Sequence, residues 1–564
     1  MYLPLALAAL MLGACSSDDL TDAGAAGGNT AGTKGYLNFS INLPSVSGGT
    51  RADVSGWTDS FDDGEESEYS VRNARVYLLD SEKKIVQTAT PVLDWTGTPS
   101  GNNVTLSAQV TVENTADAPA YALVVLNPGS KLPKVTDGST AFDIFNAALT
   151  SCSAADFCTI GEDGVAGNIM MTNAPVVVEK DGQKSVQTLV PIDGTAIKDD
   201  AGEAAKQPVT VYVERALAKV SFTQTGAFTD DVYGGKVTIN SWIINNTNTT
   251  MYPVRKSERL YAASGDGALD LLNDTKWALY GVNRFYGSTE NPVRTYFAED
   301  PNYSSISSGD LNFVDSYDAS VWKAVDQPSY CLENTFDVAN MNEDAATRAD
   351  FYATYRPDND AFAGDCDDEK IYTDDHNFFM RGNSTAFYTV KGIARVIADE
   401  VNNNASTYGL SVSGTAEVDT MKLSGADAAD KLQITADFFP DGSVSEQIPS
   451  SGAFAKLSDA LAIKCYQGGA TYYTAYIKHF GDGLTPFNET DIPYQEDCAG
   501  KKWLGRYGVL RNNWYELDVT GIKGPGDPVP PTPGDIPIDS KKQYLSFKVN
   551  ILSWAKRTQN VTLE

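Results

Sequence analysis

Two stretches near opposite ends of the chain alternate apolar and polar residues with a period of two. In Tyr36 to Leu43, Leu37, Phe39, Ile41 and Leu43 share one face, and Tyr36, Asn38, Ser40 and Asn42 share the other. In Gln543 to Ile551, Leu545, Phe547, Val549 and Ile551 alternate in the same way with Tyr544, Ser546, Lys548 and Asn550. Period-two alternation predicts half-buried β-strands. The apolar faces read Leu-Phe-Ile-Leu and Leu-Phe-Val-Ile. Swaps this small cost under about 1.5 kcal/mol each in a core, so a groove that accepts one strand should accept the other. Trp554, Val561 and Leu563 continue the apolar theme beyond the second strand.

Between them the chain reads as β throughout. Short alternating or β-branched runs recur at 71–79, 104–112, 121–126, 176–179, 209–213, 219–223, 237–243, 387–396, 432–438, 471–477 and 514–519. Clusters of Gly, Asn, Asp and Ser separate them, which predicts an all-β fold of antiparallel sandwiches. Helical periodicity is confined to 140–149 and 457–463. The Asp-, Asn-, Tyr- and Ser-rich region 299–376 reads as a long decorated loop. A polar stretch around Gly226 predicts a break between an N-terminal sandwich (52–225) and a C-terminal one (226–523). Residues 524–535 (GPGDPVPPTPGD) are too rich in Pro and Gly for helix or central strand and predict an extended arm, assigned to 524–541. The remaining segment, 542–564, is too short to form a domain, so it needs some other surface to fold on.

Composition narrows the function. The 564 residues are 42% hydrophobic and 21% charged, normal for a folded protein. A formal charge of −31 disfavours nucleic acid as a partner. With only His376 and His479 there is little material for triads or zinc sites, and no nucleophile elbow, zinc-protease helix motif or phosphate-cradling loop occurs. No enzyme, cofactor or metal site is therefore expected. The acidic runs Asp365–Glu369 and Asp374–His376 lack calcium-loop spacing. Tyr472, Tyr473 and Tyr476 have the look of strand packing rather than a sugar platform. Six cysteines, Cys152, Cys158, Cys331, Cys366, Cys465 and Cys498, permit 15 disulfide connectivities; neighbour pairing is the simplest, and buried free thiols are the alternative.

The seventh, Cys15, closes a short apolar run as Leu12-Gly13-Ala14-Cys15. The run is too short to span a bilayer and fits a lipoprotein signal peptide over 1–15, which makes Cys15 the lipidated residue and the membrane a partner only through that lipid. No Lys or Arg precedes the run, which leaves a start upstream of Met1 as an alternative. Residues 16–34 are small and polar, a flexible tether. The first alternating strand is followed by Ser45-Val-Ser-Gly-Gly-Thr-Arg51-Ala52, a flexible loop of the kind proteases cut. Cleavage after Arg51 would remove 16–51, strand included, and expose a groove that the C-terminal strand of another copy fits. Head-to-tail contacts that do not close make a filament.

Several blocks resemble the fimbrillins of Bacteroidetes, the major subunits of type V pili, and specifically the Mfa type. They are LGAC ending at Cys15, 122–127 (ALVVLN), 168–173 (NIMMTN), 211–220 (VYVERALAKV), 241–255 (SWIINNTNTTMYPVR), 385–396, 472–477, 507–523 (YGVLRNNWYELDVTGIK) and 551–563 (ILSWAKRTQNVTL). The resemblance runs in order over nearly the whole chain, except that 299–376 has no counterpart in it. It implies lipoprotein export to the outer membrane, cleavage by an arginine-specific protease at a site matching Arg51, and donor-strand polymerisation into a surface fimbria that mediates adhesion. It also implies two transthyretin-like sandwiches, and anchor and tip pilus subunits as partners. A chain with both a removable and a donor strand reads as a repeating stalk subunit. The rival readings are a surface-anchored glycan- or ligand-binding lipoprotein that does not polymerise, and a carboxylate-based secreted hydrolase.

Overall fold

The computed structural model describes residues 34–43, 58–59, 64–96, 105–114, 118–224, 226–279, 282–287, 292–307, 309–363, 377–382, 384–487, 500–540, 545–552 and 556–561, the last two as backbone alone. Mostly β-sheet, it confirms the all-β class with some helix added. The strands that matter here are β1 (Gly35–Asn42), β2 (Ala74–Leu79), β3 (Ile85–Ala89), β4 (Val92–Thr96), β5 (Thr105–Val112), β6 (Tyr121–Leu126), β7 (Met171–Asn173), β8 (Val209–Arg215), β9 (Ala218–Thr223), β10 (Lys236–Asn245), β11 (Ser329–Cys331), β12 (Arg348–Arg356), β13 (Phe378–Arg381), β14 (Ile463–Tyr466), β15 (Ala470–Tyr476), β16 (Trp514–Ile522), β17 (Leu545–Leu552) and β18 (Lys556–Val561). The two longest helices among the described residues are α1 (Val390–Tyr408) and α2 (Ala453–Leu461).

The first sheet runs in the order β3-β2-β6-β7-β8-β1-β5-β4. Every neighbour pair in it is antiparallel except β1 with β8, which is parallel. The near-continuous apolar runs of β2 and β6 follow from burial on both faces. Val76, Leu78, Ala122, Val124 and Leu126 point into one core with Leu37, Phe39 and Ile41. Tyr77, Leu79, Leu123 and Val125 point into another, shared with Phe145, Met251 and Leu332.

The chain leaves this sheet between Arg215 and Ala218, upstream of Gly226, and β9 joins a second sheet between β11 and β16. A third sheet pairs β10 with β12 and β12 with β15, all antiparallel. These two sheets face each other across an aromatic core. Phe222 lies 4.9 Å from Phe351 and 6.3 Å from Trp242, ring centre to ring centre, within the range of favourable edge contacts.

Buried charge ties the first sheet to the second. Glu68 sits in a short helical turn (Glu66–Tyr69), and its carboxylate meets Lys219 Nζ on β9 at 2.9 Å. The same carboxylate accepts the Tyr330 hydroxyl at 2.5 Å, and the Lys219 ammonium also lies 3.8 Å from the centre of the Trp514 ring. A second buried cluster joins Glu214 of β8 to Arg255, Glu333 and Arg511. Removing one partner of such a pair strands a buried charge, so these contacts hold the two halves in one relative placement.

Three expectations from the sequence are corrected. The stretch 387–396 is not one strand. It is a two-residue strand, Phe387–Tyr388, followed by α1, because Thr389 caps the helix by accepting from Gly392 N and Gly409, at φ 84°, ends it. Ile393, Ala394, Ile397 and Val401 are the buried stripe, and the alternation that suggested a strand is the start of that stripe. The stretch 432–438 buries Leu432 and Ile434 alternately, yet its backbone bonds Ile463 O and Ser458 Oγ instead of a ladder, and it ends in a 3-10 turn. The region 299–376 is not all loop, since it supplies β11 and the central strand β12. In β12 the polar Arg348 and Asp350 are buried as a pair 3.1 Å apart, with Asp350 also accepting from Asn245 and Thr474. The polar residues hid a strand whose hydrogen bonds are made inside the fold.

Phe351→Ala empties the centre of the aromatic core and should lower the unfolding free energy by about 3–5 kcal/mol. Val92→Ala, at a site 74% exposed, should stay within about 0.5 kcal/mol. Urea denaturation of both variants checks the pair.

Candidate strand-acceptor site

β1 is an interior strand. All eight of its residues are in antiparallel register with β5, from Gly35↔Val112 to Asn42↔Thr105. On its other side Phe39, Ser40, Ile41 and Asn42 pair in parallel with Val209 to Tyr212 of β8. The predicted apolar face is buried as expected: Leu37, Phe39 and Ile41 are wholly inaccessible and Leu43 nearly so. The residues around them are Leu106, Ala108, Val110 and Val112 of β5 and Val211 and Val213 of β8. Among the described residues, the backbone ladders of β4 and β5 reach the rest of the sheet only through β1, while Gln87 of β3 adds side-chain bonds, donating to Thr111 O and accepting from Glu113 N. Without it the sheet divides and its core lies open along a slot one strand wide.

The polar face makes its own contacts. Lys34, just ahead of the strand, meets Glu113, just past β5, at 2.8 Å, and this hydrogen bond holds the Lys34 ammonium above the ordinary lysine pKa. Tyr36 exchanges two backbone hydrogen bonds with Lys198. Ser107 Oγ donates to Asn38 Oδ1 at 3.2 Å, and Asn42 Nδ2 donates to Val211 O at 3.5 Å. Sequence reasoning found the apolar strand but missed these wall residues. Glu113 and Val211 look ordinary in one dimension and acquire a role only from the register.

The C-terminal segment is placed differently from the free arm expected. Residues 524–540 are strapped to their own half of the chain. Tyr473 donates to Gly524 O at 2.9 Å, Tyr466 to Gly526 O at 2.9 Å, and Asp527 and Tyr472 exchange backbone hydrogen bonds. Arg348 donates to Pro531 O, and Ile538 is fully buried. Gly526 allows this close approach, because a Cβ there would collide with the Tyr472 carbonyl. Beyond the strap, β17 is antiparallel to β16 through Ser546↔Gly521 and Leu545↔Ile522, and β18 runs parallel to β16 from Lys556↔Trp514 to Val561↔Val519. Leu545, Phe547, Val549, Ile551 and Val561 thus lie in strands beside their own chain's sheet.

Trp554 and Leu563 lie outside the described residues, as do Cys15, Arg51 and Ala52, Cys366, Cys498, and the acidic runs at 365–369 and 374–376. Among the described residues no group of three His, Cys, Asp or Glu side chains is placed to hold a metal, and no helix is long and apolar enough to cross a membrane. Tyr472, Tyr473 and Tyr476 are all buried, in keeping with packing. His479 is also buried, with its ring nitrogens 2.9 Å from Tyr515 Oη and from Tyr296 O. Cys152, Cys158, Cys331 and Cys465 carry free thiols. The pairing of Cys152 with Cys158 is therefore not made; each sulfur turns to a carbonyl of its own loop, Thr150 and Ala154 respectively. Burial pushes the Cys158, Cys331 and Cys465 thiols up to about 12.

Residues 464–560 match the family described as major fimbrial subunit protein type IV, fimbrillin, C-terminal. That span runs from β14 through most of β18 and bears out the resemblance in the C-terminal region. No curated protein matches the chain. Among solved structures, the chain is similar to two Parabacteroides distasonis proteins. One, described as a cell adhesion protein candidate, shares 11% identity over 92% of this chain and 96% of that one, with a TM-score of 0.33. The other, described as a fimbrial assembly protein, shares 11% identity over 57% of this chain and 82% of that one, with a TM-score of 0.25. A Bacteroides vulgatus fimbrial protein shares 13% identity over 56% and 83%, with a TM-score of 0.19.

Two outcomes are expected here. Gly526→Ala should lift the strap and speed hydrogen exchange at the Tyr472 amide well beyond that at Phe351 in the sheet. Alkylation at pH 8 should spare Cys331 and Cys465 in the folded protein and label both after unfolding without reductant, as peptide mass mapping would read.

Proposed function

We propose that this chain, which carries the fimbrillin C-terminal match over residues 464–560, is a repeating subunit of a cell-surface fimbria, assembled by exchange of its C-terminal strand. One observation carries the reading. The strand that completes the N-terminal sheet, β1, has a near-duplicate at the far end of the same chain. The precursor is exported as a lipoprotein through Cys15 and keeps its slot filled with its own β1. Cutting after Arg51 by an arginine-specific protease frees β1 to leave, and residues 545–551 of a neighbouring copy enter.

The energetics favour the exchange. Four buried apolar side chains are worth roughly 1.5–3 kcal/mol each, and each ladder hydrogen bond adds roughly 0.5–1.5 kcal/mol. Among the described residues β17 pairs with β16 through Ser546↔Gly521 and Leu545↔Ile522 and with β18 through Lys548↔Gln559, whereas the slot offers eight register pairs on its β5 edge and four on its β8 edge. The strap at 524–540 stays with its own domain and sets where the donated strand emerges. Each copy donates once and accepts once, so contacts repeat without closing. Anchor and tip subunits would end the series, and adhesion is the consequence of display at the surface.

The protein spanning Ser16 to Glu564, cut by an arginine-specific protease, should give an SDS-resistant ladder whose subunits begin at Ala52. The same protein ending at Ser540, which keeps the fastened strap and the buried Ile538, should give none. Monomers from both after verified cleavage would overturn the stalk assignment. A body that keeps its first strand uncut would point to an anchored binding lipoprotein.

A further inference from the structure

The apolar faces alone do not set a unique register for the incoming strand. A one-residue slip turns the apolar face outward and is excluded. A two-residue slip keeps it inward, and the series Leu-Phe-Val-Ile then meets a slot lined almost entirely by aliphatic side chains. Some further contact has to read the position.

The structure supplies it from the way β1 is held. Aligning Leu37 with Leu545 also aligns Lys34 with Lys542, Tyr36 with Tyr544, Phe39 with Phe547 and Asn42 with Asn550. The agreement therefore includes two of the three residues whose side chains touch the slot walls with polar atoms, Lys34 on Glu113 at one end and Asn42 on Val211 O at the other. Asn38, which meets Ser107, is replaced by the shorter but still polar Ser546. Charge is complementary as well. Residues 541–564 carry five basic side chains against one acidic, on a chain whose net charge is −31.

We propose that Glu113 and the Val211 carbonyl of the accepting copy are the register-determining site for the donated strand, read by Lys542 and Asn550 of the donor. This deepens the donor-strand reading and rests on it. The Lys34–Glu113 pair is more than half exposed on both sides, so it adds little affinity; its effect is on orientation and position, where interfacial charge pairs act most strongly. The donated strand then runs as β1 does, antiparallel to β5 and parallel to β8, with Asn550 opposite Thr105 and Tyr212.

Zero-length carbodiimide coupling, which joins an amine to a carboxylate in direct contact, tests this. In the uncut Ser16–Glu564 precursor it should link Lys34 to Glu113 within one chain. In the ladder it should link Lys542 to Glu113 between chains. Lys542→Glu should slow assembly about threefold, and Lys542→Glu with Glu113→Lys in the same chain should restore it; urea denaturation of each precursor checks that folding is intact. A wild-type ladder in which Lys542 couples to a different carboxylate or to none, while the Lys34 control forms, would overturn the register assignment and leave strand exchange standing. So would assembly of Lys542→Glu at the wild-type rate. A processed wild-type protein that forms no ladder, or one ending at Ser540 that does, would overturn strand exchange itself.

Discussion

The N-terminal half depends on a strand in the middle of its sheet. β5 and β8 cannot pair with each other directly, because β1 stands between them, antiparallel to one and parallel to the other. Interior strands contribute twice: backbone groups are satisfied on both edges, and side chains on at least one face fill the core. Losing one exposes two rows of unpaired amides and carbonyls together with apolar surface. A fold built this way needs a strand in that place, but the strand need not be covalently continuous with it. Strand addition between chains uses the same hydrogen bonds and the same pockets as folding does.

The C-terminal half is organised around β16 and the strap that follows it. β16 sits between β9 and the C-terminal strands, and the Pro-rich strap after it is fastened by tyrosine hydroxyls, Arg348 and the backbone of Tyr472. Fixing the strap anchors the chain up to Ser540 on its own half. The buried Glu68–Lys219 and Arg255–Glu214–Glu333–Arg511 contacts hold slot and strap in one placement.

The lobe between β13 and β14 has its own core, formed by α1, α2 and the short strands around them. None of its buried residues belongs to the slot or the strap.

Sequence by itself determined the β character, the two matched strands and the places of most ladders, because period-two alternation is a local property that survives without the fold. It also specified the apolar face of β1 residue by residue. Tertiary structure decided the rest. The long helix at 390–408 was hidden because its cap and its stripe were read as strand alternation. The central strand β12 was hidden because its polar residues find partners only in neighbouring strands. The strap at 524–540 was legible as extended, but not as fastened, since its anchors lie tens to hundreds of residues away. Glu113 and Val211 gained their meaning from register, which pairs distant residues and has no signature in a single stretch of chain.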